Sequence, residues 1–193
     1  MTKLFKYILL VAMVLAFSGC FSFGGDEDAQ TTEEGFTTYK TANFSVDVPS
    51  AWDVLNQDEF TSDVPDVTVV VFRNNVKNET FTANVNIVAK QIQEAVSSDE
   101  YAKLVVNRQS SGLVDYSEIS KDSAKVMIGG SEADTLLTKF EARKDVDDNL
   151  VRYIQTYGVK GNTAFIVTGA ISPQESESVV QLVEKVVKSF ALT

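Results

Sequence analysis

Histidine is absent from all 193 residues, and cysteine occurs once, at Cys20. The first absence excludes Ser-His-Asp and Cys-His nucleophilic chemistry, and it leaves a zinc site no imidazole and at most one thiolate. The second excludes an intramolecular disulfide, so the fold has to be held without one. Cations are scarce as well: 17 Lys and Arg stand against 27 Asp and Glu, a formal net charge of −10. Nucleic-acid binding and flat adsorption on an anionic membrane both need clustered Lys and Arg, so neither class fits. Apolar runs are short. The run from Tyr7 to Phe17 is about half of the ~20 residues that cross a bilayer. With three prolines, 44% hydrophobic content and no internal repeat, the chain reads as one ordinary domain behind a distinct N-terminus.

That N-terminus is a positive pair, Lys3 and Lys6, then the apolar run, then the small residues Ser18 and Gly19. Such an order predicts a signal peptide over residues 1–19, removed on export. The following stretch, "FSFGGDEDAQTTEEG", carries Asp26, Glu27, Asp28, Glu33 and Glu34 with no basic residue, so it has too little apolar surface to order itself. Residues 20–38 are therefore expected to be a flexible acidic linker, holding the domain roughly 20–25 Å from its start.

Cys20 directly follows Phe17-Ser18-Gly19, and this run resembles the lipobox of bacterial lipoproteins, with Phe17 where leucine is commonest. The resemblance implies that Cys20 is acylated and becomes the first mature residue. Several acyl chains on one cysteine would give stable anchoring, which a single chain does not. Ala16-Phe17-Ser18 also satisfies ordinary signal peptidase, which would instead release a soluble chain beginning at Gly19.

The domain is expected over residues 39–193. "FSVDVP" (44–49) alternates Phe44, Val46 and Val48 against Ser45 and Asp47, a strand with one wet face stopped by Pro49. "VTVVVFR" (67–73) is apolar on both faces and suits a central strand, whereas "ANVNIVAK" (83–90) alternates again. Trp52 is expected to plug the core. A capping box, Ser97 with Glu100, predicts a helix whose buried face holds Tyr101, Leu104 and Val105. A second box, Ser172 with Glu175 and Pro173 between, opens a helix with an apolar stripe of Val179, Leu182, Val183, Val186, Val187 and Phe190. Between the helices, turns at Gly129-Gly130, residues 145–149 and Gly161-Asn162 separate four strands, antiparallel because their connections are short. Gln155 lies among the apolar residues Val151, Tyr153, Tyr157 and Val159, and once buried it needs hydrogen-bond partners. Strands, helix, strands, helix is an α+β order.

The run "FSVDVPSAWDV" (44–54), then "SSDEYAKL" (97–104), "GGSEA" (129–133), "RYIQTYGV" (152–159), "AFIVTG" (164–169) and "SFAL" (189–192) resembles the PsbP-like fold. This resemblance implies an α/β/α sandwich with a central antiparallel sheet flanked by helices, a fold used by extrinsic photosystem subunits and by many bacterial lipoproteins. The photosystem role does not transfer, since the metal-linked histidines of the plant proteins have no counterpart here.

No motif assigns catalytic, cofactor-binding or metal-binding residues. In "DVDDN" (145–149), Asp145, Asp147 and Asn149 alternate as calcium ligands do, but Leu150 holds the glycine position and Thr156 the bidentate glutamate position of an EF-hand loop. Gly129-Gly130 lacks the Lys-Ser or Lys-Thr of a phosphate loop. Two function classes remain. The first is a membrane-tethered accessory or binding module on the extracytoplasmic side, anchored through the lipid on Cys20, without enzymatic activity or cofactor and with a protein or envelope component as partner. The alternative is an exported histidine-free enzyme using carboxylate or lysine chemistry.

Overall fold

The computed structural model describes residues 34–60, 64–76 and 81–193. The leader, Cys20 and most of the acidic linker lie outside the described residues. Alternation sets the first strands. β1 (Phe36–Lys40) pairs antiparallel with β2 (Phe44–Pro49), whose Phe44, Val46 and Val48 are buried while Ser45 and Asp47 are half-buried on the other side. β1 takes in residues 36–38, which the sequence pattern gave to the linker. Trp52 is buried in the main core, as its bulk predicts. A short β3 (Asp53–Asn56) follows, then β4 (Thr68–Arg73) and β5 (Asn84–Gln91). β4 sits one place in from the edge strand β3, not at the centre of the sheet.

Helix α1 (Ser98–Gly112) opens on the predicted capping box: the Ser97 hydroxyl accepts from the Glu100 N–H at 3.2 Å, and a Glu100 carboxylate oxygen accepts from the Ser97 N–H at 3.0 Å. Its buried face differs by one step from the expected one. Ser98, Ala102 and Val106 face inward, Tyr101 and Val105 are half-buried, and Leu104 is 61% exposed. The small Ala102 permits close approach to the sheet, and that fixes the helix rotation.

Strands β6 (Val114–Ile128), β7 (Ser131–Arg143), β8 (Val151–Lys160) and β9 (Thr163–Ile171) form the predicted antiparallel meander. The two-residue turn between β6 and β7 has both glycines at positive φ, +57° and +82°, as a type I′ hairpin requires. Helix α2 (Glu177–Lys188) begins later than the Ser172 box predicts. Ser176 is its N-cap residue, while the Ser172 carbonyl accepts from the Glu175 N–H in a separate turn. Valine is a weak helix former, so this helix depends on burial: Val183, Val186 and Val187 are fully buried, each worth about 1.5–3 kcal/mol of transfer free energy. The chain ends in β10 (Ala191–Leu192).

All ten strands join one sheet in the order β1-β2-β10-β6-β7-β8-β9-β5-β4-β3. Every pairing is antiparallel except β10 with β6, because α2 acts as a crossover that returns the chain in the direction of β6. The sheet is therefore mixed, correcting the expected antiparallel one. It also curls: the Tyr39 ring on β1 meets Phe72 on β4 edge-on at 5.2 Å, and the Tyr39 hydroxyl donates to the Asn56 side-chain carbonyl on β3 at 3.2 Å. The expected helix-flanked sandwich is only partly realised. Ile154 on β8 belongs to the core with α2, and Tyr157, three residues on, packs with Ala102 and Val106 of α1, so β8 and β9 carry one helix on each face. Elsewhere curvature lets strands cover strands, as Phe44 on β2 does with Phe165 on β9.

Candidate binding site

Gly169 on β9 shows how closely α2 is seated. A Cβ there would lie 2.3 Å from a Val183 methyl and 3.3 Å from a Val187 methyl, so this strand position has no room for a side chain. The opposite face of the same strands carries a buried polar chain. Tyr157 donates to the Gln155 side-chain carbonyl at 3.0 Å, and the Gln155 amide donates to the Thr168 hydroxyl at 3.0 Å. Since the Tyr157 proton is committed to Gln155, the Thr138 hydroxyl, 2.9 Å away, is the donor to the Tyr157 oxygen. Burial pushes the Tyr157 hydroxyl well above its ordinary range, with the Thr138 hydrogen bond acting in the other direction. Gln155 thus has the partners its sequence position demanded, and this network specifies the fold of the meander.

The "DVDDN" loop turns its carboxylates on its own backbone. Asp145 accepts from the Val146 N–H at 2.7 Å, Asp148 accepts from the Asp145 N–H at 3.1 Å, and Arg143 reaches the Asp148 carbonyl. This is the hydrogen bonding of an Asx-type turn. Other carboxylates are neutralised by cations. Glu141 receives the Arg152 guanidinium at 2.8 Å, and Glu184 on α2 receives Lys139 and Lys188, both at 2.6 Å. Burial pushes the Glu184 carboxyl up, but the hydrogen bonds and charges of those two lysines outweigh it and hold the group below its ordinary value.

A cleft of about 390 Å³ opens where β2 faces the ends of β5, β8 and β9. Strand register builds it in two rows. Lys160, Thr163 and Gln91 are cross-strand neighbours on β8, β9 and β5 and form a polar rim, completed from the start of β2 by Asn43. One row inward, Phe165 and Ala89 form a floor with Val69 and Phe44. Val69 is the extra residue where the register of β4 shifts against β5. The Gln91 amide donates to the Thr163 hydroxyl oxygen at 2.9 Å, and the Lys160 ammonium donates to the terminal main-chain oxygen of Thr193. No Asp or Glu side chain lines the cleft. None of these residues was a candidate in the sequence, because five separate segments supply them and only the register brings them together.

No family model matches the sequence, and no curated protein matches it. Solved structures do. The solution structure of cyanobacterial PsbP (CyanoP) from Synechocystis sp. PCC 6803 superposes with a TM-score of 0.56 at 13% identity, over 85% of this chain and 96% of that one. The crystal structure of LpqN, involved in cell envelope biogenesis of Mycobacterium tuberculosis, gives 0.54 at 11% identity, over 82% and 90%. A curled mixed sheet with two helices, matched over nearly the whole length of both, has the PsbP-like fold.

Proposed function

We propose that this chain is an exported accessory protein, held on the extracytoplasmic side of the cell membrane by lipid on Cys20, that acts by binding a protein or envelope component and catalyses no reaction. The observation that carries the reading is the order of the N-terminal residues: a basic pair, an apolar run too short to span, Phe17-Ser18-Gly19-Cys20, then an acidic stretch. The net charge argues in the same direction, since a chain of −10 has no electrostatic means of holding an anionic bilayer and needs another anchor. LpqN, a structure of the same fold, is described as involved in cell envelope biogenesis, which agrees with an envelope location. A binding role is supported by the placing of Asp and Glu side chains in the domain, where Glu141 and Glu184 are paired with cations and no Asp or Glu lines the cleft. Among the described residues no helix is long and apolar enough to cross a membrane.

Metabolic labelling with a fatty-acid precursor tests the anchor. The wild-type chain is expected to take up label and to sediment with membranes. Cys20→Ser is expected to lose both, and label or membrane retention unchanged in that variant would refute the reading.

A further inference from the structure

We infer that a second copy of this chain docks on the outer face of α1, antiparallel to it and across a two-fold axis at Leu104. This goes beyond the accessory reading and does not depend on how the chain is anchored. Leu104 is 61% exposed, and among the described residues it is the only large apolar side chain of either helix that is exposed. One exposed leucine is ordinary by itself. What singles this one out is the row it stands in: Glu100, Leu104 and Arg108 are four residues apart, form one ridge of the helix, and are all exposed. Neither charge of the row is used up within the chain. Asp99 takes Lys103 at 2.6 Å, whereas Arg108 has no carboxylate partner among the described residues. Glu100 accepts from the Ser97 N–H and hydroxyl through one and the same oxygen, at 3.0 and 2.8 Å, which leaves its other oxygen for a guanidinium.

An acid, a leucine and a base at equal spacing are their own complement once the helix is reversed. In an antiparallel pair centred on Leu104, that leucine meets its own counterpart, Glu100 meets the second copy's Arg108, and Arg108 meets the second copy's Glu100. Asn107 falls opposite Tyr101 and Ser111 opposite Ser97, so no like charges are brought together. Ridges of this spacing interdigitate at a crossing angle of about −50° with the helix axes about 8–10 Å apart, the commonest helix packing. Each α1 keeps its Ala102 and Val106 side on its own sheet, so the pair stacks as sheet, helix, helix, sheet. The symmetry of the row commits the surface to a second copy, since a foreign helix would need no such inversion. One helix face against another is small beside the ~1,200–2,000 Å² that stable interfaces bury, so the pair is transient. Repulsion between two chains of net charge −10 weakens it further, and a covalent trap is the suitable assay.

Leu104→Cys in the full chain supplies the trap, because at the two-fold axis the two thiols face each other within disulfide reach. Copper phenanthroline is the oxidant, and the product is read on a non-reducing gel. If Cys20 is lipidated the reaction is run on isolated membranes; if it is a free thiol, Cys20→Ser is added and the released chain is used. Failure of the anchor and failure of the contact are thereby separate results. A disulfide-linked homodimer is expected, forming at least about tenfold faster than with Ser178→Cys, an exposed control position on α2 across the sheet. Charge reversal then tests the register. Glu100→Arg and Arg108→Glu, each added to Leu104→Cys, turn both ion pairs repulsive, and each is expected to slow crosslinking at least about fivefold. Co-expressed in equal amounts the two variants restore both pairs, and the mixed dimer is expected to form within about threefold of the parent rate. Glu100→Arg also removes a cap bond of α1, so circular dichroism is recorded for every variant, and Arg108→Glu, which leaves the capping box intact, decides if that helix is weakened. A rate no greater than that of Ser178→Cys, a disulfide to a different protein in place of the homodimer, or charge reversal that has no effect or is not restored in the mixture would overturn the assignment.

Discussion

Replacing Gly169 by alanine tests the seating of α2 on the sheet. The new Cβ would lie 2.3 Å from a Val183 methyl and 3.3 Å from a Val187 methyl, against an ordinary contact of 3.4–4 Å. Val183 must therefore withdraw by more than about 1 Å, in a core with few voids to receive it. It is fully buried, and a β-branched side chain in a helix has one strongly preferred rotamer, so turning away is costly too. Two effects oppose each other. Alanine restricts the unfolded chain and stabilises by about 0.4–1 kcal/mol, whereas overpacking a filled core costs typically about 1–3 kcal/mol. Overpacking wins, and a net loss of about 1–2 kcal/mol is expected. Urea unfolding followed through Trp52, the only tryptophan and buried at 7% exposure, reads this directly. With a slope of about 2 kcal/mol/M, the middle of the usual range, the midpoint should fall by roughly 0.5–1 M. The cause is then isolated with Val183→Ala, which removes the obstructing methyl. Alone it should cost about 1.5 kcal/mol or more for its two methyl groups and the space they leave. Combined with Gly169→Ala it should cost clearly less than the sum, with a coupling of about 0.5 kcal/mol or more. Gly158→Ala is the milder control, because its Cβ would lie 3.0 Å from a Leu192 methyl and 3.2 Å from the Phe190 ring, less close than the 2.3 Å at Gly169. A neutral or stabilising Gly169→Ala, or strict additivity in the cycle, would refute the reasoning.

Two further outcomes follow from the polar and charged groups. Tyr157→Phe leaves the Gln155 carbonyl oxygen buried without its donor and is expected to cost about 1–3 kcal/mol in urea unfolding, with α1 still folded by circular dichroism; a variant as stable as wild type would show the hydroxyl chain to be dispensable. Glu184 is held below its ordinary value of 4.5, so its contribution to stability is fully present above that value and is lost as the pH falls through its lowered folded-state value. Glu184→Gln should therefore be less stable than wild type at neutral pH, and the gap should close on acidification below 4.5; a gap independent of pH would assign the effect to packing instead.

Local rules were legible where one segment contains its own answer. The Ser97 capping box formed as written, because donor and acceptor are three residues apart and need nothing from the rest of the chain. The Gly129-Gly130 hairpin formed because only glycine takes both positive φ angles at little cost. The rotation of α1 was harder to read. Leu104 carries more apolar surface than Ala102, yet it points to solvent, since the helix is set by how near it can approach Tyr157 and Leu136 and not by its own most hydrophobic face. The start of α2 slipped from Ser172 to Ser176 for a related reason: the Ser172 box closes a turn on itself, and the helix begins where its valines can reach the core.

The sequence by itself determined the absence of histidine and of any disulfide, the acidic balance, the strands with their wet and dry faces, the two helices, and the N-terminal run that ends at Cys20. All of these are properties of composition or of neighbours along the chain. Tertiary structure decided the rest. A two-residue strand, β10, is too short to leave a pattern, but it joins β2 to β6 and makes the sheet mixed. The curl of the sheet brings Tyr39 to Phe72 and Phe44 to Phe165 across long stretches of chain, and no periodicity records which apolar faces will meet. The cleft depends on both. Gln91, Lys160 and Thr163 are ordinary exposed or half-buried residues one by one, and they become a polar rim over an apolar floor only because cross-strand register places them in one row, with Asn43 facing them from the chain just before β2.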